Sequence, residues 1–406
     1  MLKAPNVGPV GGGKKKRTGS PVNMAIDASE RALLVKTVRD FAEKEVAPLV
    51  REYDREEKLP RQLLDRLHEL GLVGGTVPTE WGGLGLDHVT YAAVLEEISA
   101  VCHIVGVLLS MPSGLVGSGL LNYGTEEQKR KYLMPLASGE VFAGAGITEP
   151  HSGTDVASMQ TVCEKVDGGY VLRGEKTWIS NLDIASWFVT FATLDRQGGR
   201  NAICAFIVDN PSEGMTPKPF KNKTGFRPIS TGELLFDDCF VPEKNLLGDE
   251  GQGMRIAMSA VENGRLSVAA RSVGVARACL EQSIAYARER IVFGHPIGEF
   301  QIIQSRITEM MVGVETARLL VHHLAEEKDA GRPARQLASM AKMYASDVAM
   351  SAATSAMQVH GAYGCSDEYP VSRYFRDAKF LQVVEGSNDV HRALVAEIEL
   401  GYRPNR

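Results

Sequence analysis

The apolar pattern of this chain changes twice, and these changes constrain its fold more than any other feature of the sequence. Up to about residue 138, apolar residues recur at three- and four-residue spacings, as at Leu34 and Val38, which predicts amphipathic helices. Residues 140–250 carry short β-rich runs separated by turns, and long helical patterns return from Gly253. Helices, then strands, then helices predict an α+β protein in three segments.

Domain boundaries are predicted at these changes: residues 1–23 form a tail, 24–140 a helical domain, 141–252 a β domain and 253–406 a helical bundle. The tail is rich in Gly, Pro and basic residues and lacks apolar periodicity, so we expect it to be disordered. It also lacks the apolar stretch that a secretory signal peptide requires, so we do not expect such a signal. The spacing of the strands is typical of a compact antiparallel barrel or sandwich. The predicted strands are Tyr170–Leu172, Trp187–Ala192, Ile203–Val208 and Leu234–Phe236.

Composition excludes several classes of protein. The 406 residues are 44% hydrophobic and 23% charged with a net charge of −5, which is typical of a soluble globular protein. Beyond the first twenty residues there is no basic stripe for nucleic acid. Six scattered cysteines without a C-x-x-C pair indicate buried thiols in a reducing compartment, either the cytoplasm or a mitochondrial matrix.

The segment Ile98–Leu121 has no acidic or basic residue and is the one candidate membrane span. Pro112 and four glycines interrupt it, so we predict two buried helices joined near Met111–Ser113 and no membrane insertion. The chain also lacks the glycine motifs of Rossmann and P-loop sites, the H-E-x-x-H and G-x-S-x-G motifs, and any His/Cys ligand cluster, so we predict no metal site.

The stretch Leu381–Arg392 contains the main candidate for a catalytic group. Glu385 follows an apolar run and precedes a glycine and the residues Ser387–Asp389, which are typical N-cap residues for a helix predicted at Val390–Leu400. A helix N-terminus carries partial positive charge, where a phosphate or a carbonyl oxygen could bind. By itself this pattern also fits an ordinary surface junction.

Two further stretches carry glycines and hydroxyl groups on either side of the predicted strands. Residues Gly144–Asp155 offer backbone N–H groups and threonine hydroxyls that suit a flat polar ring and a phosphate. In Lys176–Asn181, Trp178 and Ser180 are two residues apart, so in a regular strand both would point to one face. Standing alone, Trp178 would more often be a core aromatic.

With these motifs the chain resembles the acyl-CoA dehydrogenase family from about Asp27 to its C-terminus. Each motif is weakly specific, but six in the family's order exclude a chance match. They are Pro78–Gly85 (PTEWGGLG), Ile147–Asp155 (ITEPHSGTD), Lys176–Asn181 (KTWISN), Glu289–Gly294 (ERIVFG), Gln358–Gly364 (QVHGAYG) and Val384–Asp389 (VEGSND).

The resemblance implies a helical N-terminal domain, a middle β-barrel and a C-terminal four-helix bundle, with FAD bound between them, in a homotetramer. It also assigns site residues. The FAD of the same subunit would contact Ile147, Thr148, Thr154, Trp178 and Ser180; the neighbour's FAD would contact Arg290, Phe293, Gln301, Gln358 and Gly361; Ser387 and Asp389 would complete the cofactor site; and Thr154, Arg265 and Gly386 would contact substrate.

Glu385 falls on the family's catalytic base. The resemblance implies that it removes the α-proton of an acyl thioester while hydride passes from the β-carbon to flavin N5, leaving a trans-2-enoyl product. Such a base needs its basicity raised by desolvation, and the thioester oxygen needs hydrogen bonds, which the family draws from the N–H of the base and a flavin hydroxyl. Electrons would pass to electron-transfer flavoprotein or an equivalent acceptor.

Two departures from the family pattern are informative. Members with an upstream base carry it before the residue that matches Arg265, and Gly264 stands there; the offset of Glu262 makes it a poor substitute. Several motifs are similar to the glutaryl-CoA branch, but Gly106 aligns with that branch's carboxylate-binding arginine. Since Ile98–Leu121 contains no cation, we expect a short or medium neutral acyl chain.

Alternatives remain open. The thioester could be carried by CoA or by an acyl-carrier protein of a biosynthetic pathway. An acyl-CoA oxidase or a flavin monooxygenase would share the fold, although monooxygenase relatives generally lack the glutamate. A non-catalytic flavin-binding protein is disfavoured because the base, the tryptophan and the hydroxyls are all present.

Overall fold

Residues 27–405 are described in the computed structural model, in which helices precede and follow one large sheet. The predicted disordered tail, residues 1–23, lies outside the described residues. The helices before the sheet are α1 (Ala28–Phe41), α2 (Val50–Glu56), α3 (Arg61–Glu69), α4 (His88–Ser110), α5 (Gly117–Tyr123), α6 (Glu126–Gln128) and α7 (Met134–Ser138). Those after it are α8 (Gly253–Glu289), α9 (Gln301–Asp329), α10 (Arg335–His360), α11 (Val371–Leu381) and α12 (Asn388–Glu399).

Side-chain caps fix several helix starts that the sequence indicates. Asp27 accepts hydrogen bonds from the backbone N–H groups of Ser29 and Glu30 at the start of α1. Thr125 and Gln128 form a reciprocal capping box at the start of α6. The Ser387 side chain accepts from Val390 N, so α12 begins at Asn388, two residues before the predicted start. The predicted N-cap at the Glu385 stretch is therefore confirmed.

The central sheet has eight strands in the order β6-β7-β3-β2-β4-β5-β8, with β1 paired to β4. The β1–β4 pair is parallel, so the sheet is mixed and the predicted purely antiparallel arrangement is wrong. All four predicted strands lie within observed strands. The strands are β1 (Phe142–Gly146), β2 (Val162–Val166), β3 (Gly169–Ser180), β4 (Ala185–Thr193), β5 (Ile203–Asp209), β6 (Met215–Pro219), β7 (Thr231–Pro242) and β8 (Leu246–Leu247), with a separate hairpin of β9 (Ile291–Val292) and β10 (His295–Pro296).

Helix α4 is long and apolar enough to cross a membrane, but 83% of its most apolar window is buried inside the protein. The chain leaves α4 at Ser110 and starts α5 at Gly117, so the predicted pair of buried helices is confirmed. Within α4, Cys102 departs from helical geometry, with φ −149° and ψ 98°, and the helix is kinked there. Five cysteines are buried as predicted, whereas Cys365 is exposed.

Glycines let α4 and α8 approach each other closely. A Cβ atom on Gly274 of α8 would lie 2.4 Å from the Glu96 carbonyl oxygen, and one on Gly114 would lie 3.7 Å from the Cα of Gly264. A Cβ atom on Gly106 would lie 3.1 Å from Cδ of Arg271. The two segments therefore run antiparallel, with Gly114 facing Gly264 and Gly106 facing Arg271.

Gly274→Ala is expected to destabilise the fold by about 1–3 kcal/mol, because the added methyl group meets backbone atoms that cannot move independently. This loss outweighs the roughly 1 kcal/mol that alanine contributes to an exposed helix. Thermal unfolding measures it as a lower Tm. The matched control is Gly313→Ala in α9, where the nearest atom is a Val348 methyl carbon at 3.1 Å that can shift. Equal Tm values for the two variants would contradict the close packing of α4 on α8.

Candidate active site

Glu385 lies in the tight turn between α11 and α12. Its φ is 55° and that of Gly386 is 92°, so two consecutive residues have left-handed backbone conformations. For a glutamate this costs about 1–2 kcal/mol, and such strain persists only where surrounding contacts hold it. The turn aims the Glu385 side chain into the protein.

Lys342 and His391 hold this turn. The fully buried Lys342 ammonium donates to the carbonyl oxygens of Gly386 (2.8 Å) and Gln382 (3.2 Å) and to Oδ1 of Asn388 (2.9 Å). The ring of His391 places Nε2 3.2 Å from the Glu385 carbonyl oxygen. Burial, together with the charges of Arg265 and Lys342, lowers the pKa of His391 to about 3, so its ring is neutral and donates from Nε2.

The carboxylate of Glu385 packs against Gly264 of α8. A Cβ atom at position 264 would lie 2.6 Å from Oε1 of Glu385, so the carboxylate occupies the space that a side chain there would need. Oε2 is buried and has no hydrogen-bond partner among residues 27–405. Position 264, where the family pattern places the upstream base of some members, thus lies directly against the Glu385 carboxylate. A side chain at position 264 and the carboxylate of Glu385 cannot both occupy this space.

Burial dominates the electrostatics of Glu385. It raises the pKa of the carboxyl group to about 7, although the positive charges of Arg271, Arg265 and Lys342 act in the opposite direction. Burial also lowers the pKa of Lys342 to about 7. A carboxylate with a pKa near neutrality and a free oxygen atom is suited to accept a proton.

The predicted flavin-side residues Thr148, Trp178 and Ser180 are brought together by β3. The N–H of Thr177 donates to the Thr148 carbonyl oxygen at 2.8 Å, and Ser180 pairs with Thr231 of β7. The regular alternation predicted for Trp178 and Ser180 is wrong, because the register shifts between Lys176 and Ile179 and Trp178 has φ 61°.

Trp178 is 55% exposed and meets Phe220 edge-on, with ring centroids 5.1 Å apart. A core aromatic would not be exposed in this way, and the exposed ring is consistent with the predicted contact between Trp178 and FAD. Ile147 is half-buried beside the sheet, and Thr154 is exposed in the loop that follows β1.

A buried ion pair anchors that loop. Glu149 accepts from Lys176 Nζ at 2.6 Å and from the Thr161 N–H at 3.0 Å, and both charged side chains are buried. Burial lowers the pKa of Lys176 to about 8, while the Glu149 charge opposes this shift. The pair holds the predicted FAD loop against β3.

The β domain also contacts the helix that leads to Glu385. Phe226 stacks on Phe380 of α11 at a centroid distance of 4.9 Å, and its N–H donates to Oδ1 of Asp377 at 2.8 Å. The loop between β6 and β7 is thereby fixed against α11, the helix that leads into the Glu385 turn.

A second group of predicted cofactor residues lies elsewhere, on an exposed end of the C-terminal bundle. Phe293 is 89% exposed in the β9–β10 turn, and the Arg290 guanidinium lies 6.0 Å from the Tyr363 ring centre. Gln301, Gln358 and Gly361 are also exposed. Their exposure fits contact with another molecule.

The remaining predicted residues surround the Glu385 turn. Arg265 is buried, and its Nη1 donates to Ser339 Oγ at 3.2 Å, while its Nε has no partner within residues 27–405. Ser387 caps α12, Gly386 is exposed, and Asp389 pairs with Arg392 at 2.9 Å. The group Glu385, Gly386, Ser387 and Arg265 is therefore clustered, whereas Asp389 points to solvent with 93% of its side chain exposed.

The expectation of a neutral acyl chain loses its basis in the structure. It depended on the absence of a cation from Ile98–Leu121, but Arg271 reaches the position of Gly106 from α8. Sequence analysis also missed Lys342 and His391. A single lysine within the Ala/Met-rich helix α10 was a signal for Lys342; nothing local to Arg271 indicated its contact with α4.

Comparison with known proteins shows the family. Three models match in chain order: the acyl-CoA dehydrogenase N-terminal domain over residues 28–140, the middle domain over 144–239 and the C-terminal domain over 251–400. These matches define a three-domain flavoprotein oxidoreductase. The chain belongs to the acyl-CoA dehydrogenase family, whose members are FAD-dependent.

Curated relatives match over nearly their whole length. The chain is 41% identical to an acyl-CoA dehydrogenase of Bacillus subtilis, with 92% of this chain and 98% of that protein covered. It is 40% identical to a short-chain specific acyl-CoA dehydrogenase of Clostridium acetobutylicum, with 90% and 97% covered.

Solved structures agree with this assignment. A glutaryl-CoA dehydrogenase in complex with glutaryl-CoA has a TM-score of 0.90 at 38% identity, covering 94% of this chain and 98% of that one. Butyryl-CoA dehydrogenase of Megasphaera elsdenii has a TM-score of 0.88 at 37% identity, with 93% and 100% covered. A prolyl acyl-carrier-protein oxidase has a TM-score of 0.87 at 32% identity, with 92% and 100% covered. The predicted three-domain fold is thereby confirmed.

Replacing Glu385 with glutamine should change the pH dependence of stability. The folded-state pKa of Glu385 is about 7, above the ordinary value of 4.5. Between pH 4.5 and pH 7 the native wild type therefore keeps a proton on Glu385 that the unfolded chain has lost. Its free energy of unfolding falls as pH rises through this window. In Glu385→Gln the glutamine does not titrate, so this decrease in the free energy of unfolding does not occur. Relative to wild type it should gain on the order of 2–3 kcal/mol of stability between about pH 5 and pH 8.

The measurement is the Tm difference between variant and wild type at the two pH values. The exposed Glu52 supplies a control, since Glu52→Gln removes a carboxylate of the same kind from the surface of α2. A Glu385→Gln difference that is the same at both pH values would show that Glu385 is not desolvated in the native state.

Proposed function

We propose that this enzyme converts a short-chain acyl thioester into its trans-2-enoyl thioester, with Glu385 as the base that removes the α-proton. The observation that carries the proposal is the buried, unpartnered Oε2 atom on a carboxyl group whose pKa lies near 7. The short chain is supported by the similarity to the short-chain specific and butyryl-CoA enzymes of two bacteria.

The residues of this chain supply the proton chemistry. Glu385 takes the α-proton, which leaves negative charge on the thioester oxygen, and the Glu385 N–H is the proposed donor to that oxygen. Arg265, Arg271 and Lys342 stabilise the ionised form of Glu385 before the transfer. The chemistry that bound FAD would supply is acceptance of a hydride from the β-carbon. Lys342 and His391 keep the turn in its strained conformation, so the carboxylate is positioned before substrate binds.

Cofactor contacts are proposed from two surfaces. Ile147, Thr148, Thr154, Trp178 and Ser180 would hold the FAD of the same subunit, with Ser387 and Asp389 beside it. The exposed group of Arg290, Phe293, Gln301, Gln358 and Gly361 would contact the FAD of a neighbouring subunit, which requires a homo-oligomer, proposed here as a tetramer. Thr154, Arg265 and Gly386 are proposed substrate contacts.

Electron-transfer flavoprotein or an equivalent carrier is the proposed acceptor. A carrier-protein thioester is the second candidate substrate, and the similarity to a prolyl acyl-carrier-protein oxidase supports it. Anaerobic flavin reduction by matched CoA and carrier-protein thioesters separates the two, and oxygen consumption without an added acceptor would indicate an oxidase.

Glu385→Gln is expected to retain FAD and oligomeric state but to lose more than 90% of turnover, because the amide cannot accept the α-proton at neutral pH. This loss corresponds to a barrier raised by at least roughly 1.4 kcal/mol. Steady-state kcat with butyryl-CoA measures it. Glu262→Gln, two residues before the alternative base position at Gly264, should retain activity within about threefold. If Glu262→Gln is inactive and Glu385→Gln active, Glu385 is not the base.

Arg290→Ala is expected to release FAD more readily and to weaken the oligomer, since the guanidinium would no longer pair with the neighbour's pyrophosphate. Flavin absorbance after gel filtration and the elution volume on dilution measure both effects. Arg288→Ala, an exposed arginine at the end of the same helix, is the control. Unchanged flavin content and size for Arg290→Ala would refute the contact between subunits.

A further inference from the structure

Arg271 carries a buried positive charge, and two of its three guanidinium nitrogen atoms lack a hydrogen-bond partner within residues 27–405. Its side chain lies on α8 and is only 5% exposed, and its Nε and Nη1 atoms have no hydrogen-bond partner among the described residues. Burial lowers its pKa to about 10, which still leaves the guanidinium charged at neutral pH. A buried charge normally has a partner, so this one indicates an anionic group that binds there.

The position of Arg271 relative to Glu385 follows from the two packed helices. Gly264, which touches the Glu385 carboxylate, and Arg271 are seven residues apart on α8, so they lie on the same face about 10 Å apart along the axis. The Arg271 side chain leans toward the helix N-terminus and hence toward Glu385. Of the three cations that lower the pKa of Glu385, Arg271 has the largest effect. The guanidinium therefore stands a short distance beyond the reacting end of the site.

A second unpartnered donor lies at the same place. Ser99 Oγ is buried without a hydrogen-bond partner in residues 27–405, and a Cβ atom on Gly106 would lie 2.5 Å from it and 3.1 Å from Arg271 Cδ. The hydroxyl of Ser99 on α4 and the aliphatic stem of Arg271 on α8 thus lie beside the position where Gly106 has no side chain. Two unfilled donors of this kind suit a carboxylate.

We propose that Arg271, assisted by Ser99, binds a carboxylate at the distal end of the acyl chain, so that thioesters of dicarboxylic acids of roughly four to six carbons are substrates. This inference rests on the proposed function, because it takes the acyl chain to run from Glu385 toward Gly106. In this proposal a residue of α8, Arg271, determines which acyl chains the enzyme accepts.

The rival role for Arg271 is that of a counter-ion for Glu385 alone. In that case Arg271 would affect all acyl thioesters equally, because the α-proton is the same in each. A carboxylate-binding role instead separates acyl chains that differ only at their distal end. The comparison of glutaryl-CoA with pentanoyl-CoA therefore distinguishes the two, since both have five carbons and only one ends in a carboxylate.

The experiment uses holoenzyme of the wild type, Arg271→Met and the charge-retaining Arg271→Lys. For the wild type, kcat/KM with glutaryl-CoA should equal or exceed that with pentanoyl-CoA. Arg271→Met should lower the ratio of the glutaryl-CoA value to the pentanoyl-CoA value about 100-fold or more, because the loss of its charge effect on Glu385 acts on both substrates alike and cancels in the ratio. Arg271→Lys should restore part of the glutaryl-CoA activity. Preference of the wild type for pentanoyl-CoA, or equal losses with both substrates, would overturn the proposal.

Binding provides a readout that does not require turnover. In 3-thiaglutaryl-CoA and 3-thiapentanoyl-CoA a sulfur atom replaces the β-carbon, so no hydride can leave. Calorimetry should show tighter binding of the diacid analogue to the wild type and loss of that preference in Arg271→Met. If no acyl-CoA is turned over but this preference is present, the proposed function fails and the carboxylate site stands. Equal binding of both analogues to the wild type would refute the site itself.

Discussion

Burying the carboxylate of Glu385 with no hydrogen-bond partner for Oε2 among residues 27–405 is the constraint on which the C-terminal helices depend. A lone buried carboxylate is unfavourable by several kcal/mol unless charges compensate for it, and here Arg265, Arg271 and Lys342 do so without contacting it directly. As a result, the protonated and ionised forms of this carboxyl group are both populated near neutral pH. Because Oε2 has no hydrogen-bond partner among residues 27–405, the basicity of this atom is not reduced by a donor.

Helix α8 combines most of what this balance needs. Its glycines remove side chains where other groups must approach: Gly264 admits the Glu385 carboxylate, and Gly274 admits the backbone of α4. Between them the same helix supplies two buried arginines. Because these roles recur on neighbouring faces, α8 must keep its register against both α4 and α10. A shift of one residue would rotate an arginine into the space that a glycine leaves free.

Local sequence predicted the order of the segments, the Ser387 cap and the location of Glu385 before α12, because caps and periodicity act over a few residues. The parallel pairing of β1 with β4 was missed, since β1 is a short run with two glycines and its partner lies about 40 residues away. The bulge that exposes Trp178 was missed because pairing with β7 produces it. Lys342 could be noticed as an unusual residue, but its three acceptors come from a turn 40 residues or more beyond it.

The pair Gly106 and Arg271 shows why the charge next to one helix cannot be inferred from the sequence of that helix alone. The absence of a side chain at position 106 leaves room for the stem of Arg271, whose Cγ and Cδ atoms would lie 3.2 and 3.1 Å from a Cβ atom there. A side chain on α4 and the arginine on α8 would therefore compete for the same space. In this geometry the side chain that position 106 can hold and the place that Arg271 occupies are coupled by packing, so a substitution at either residue changes the space available to the other.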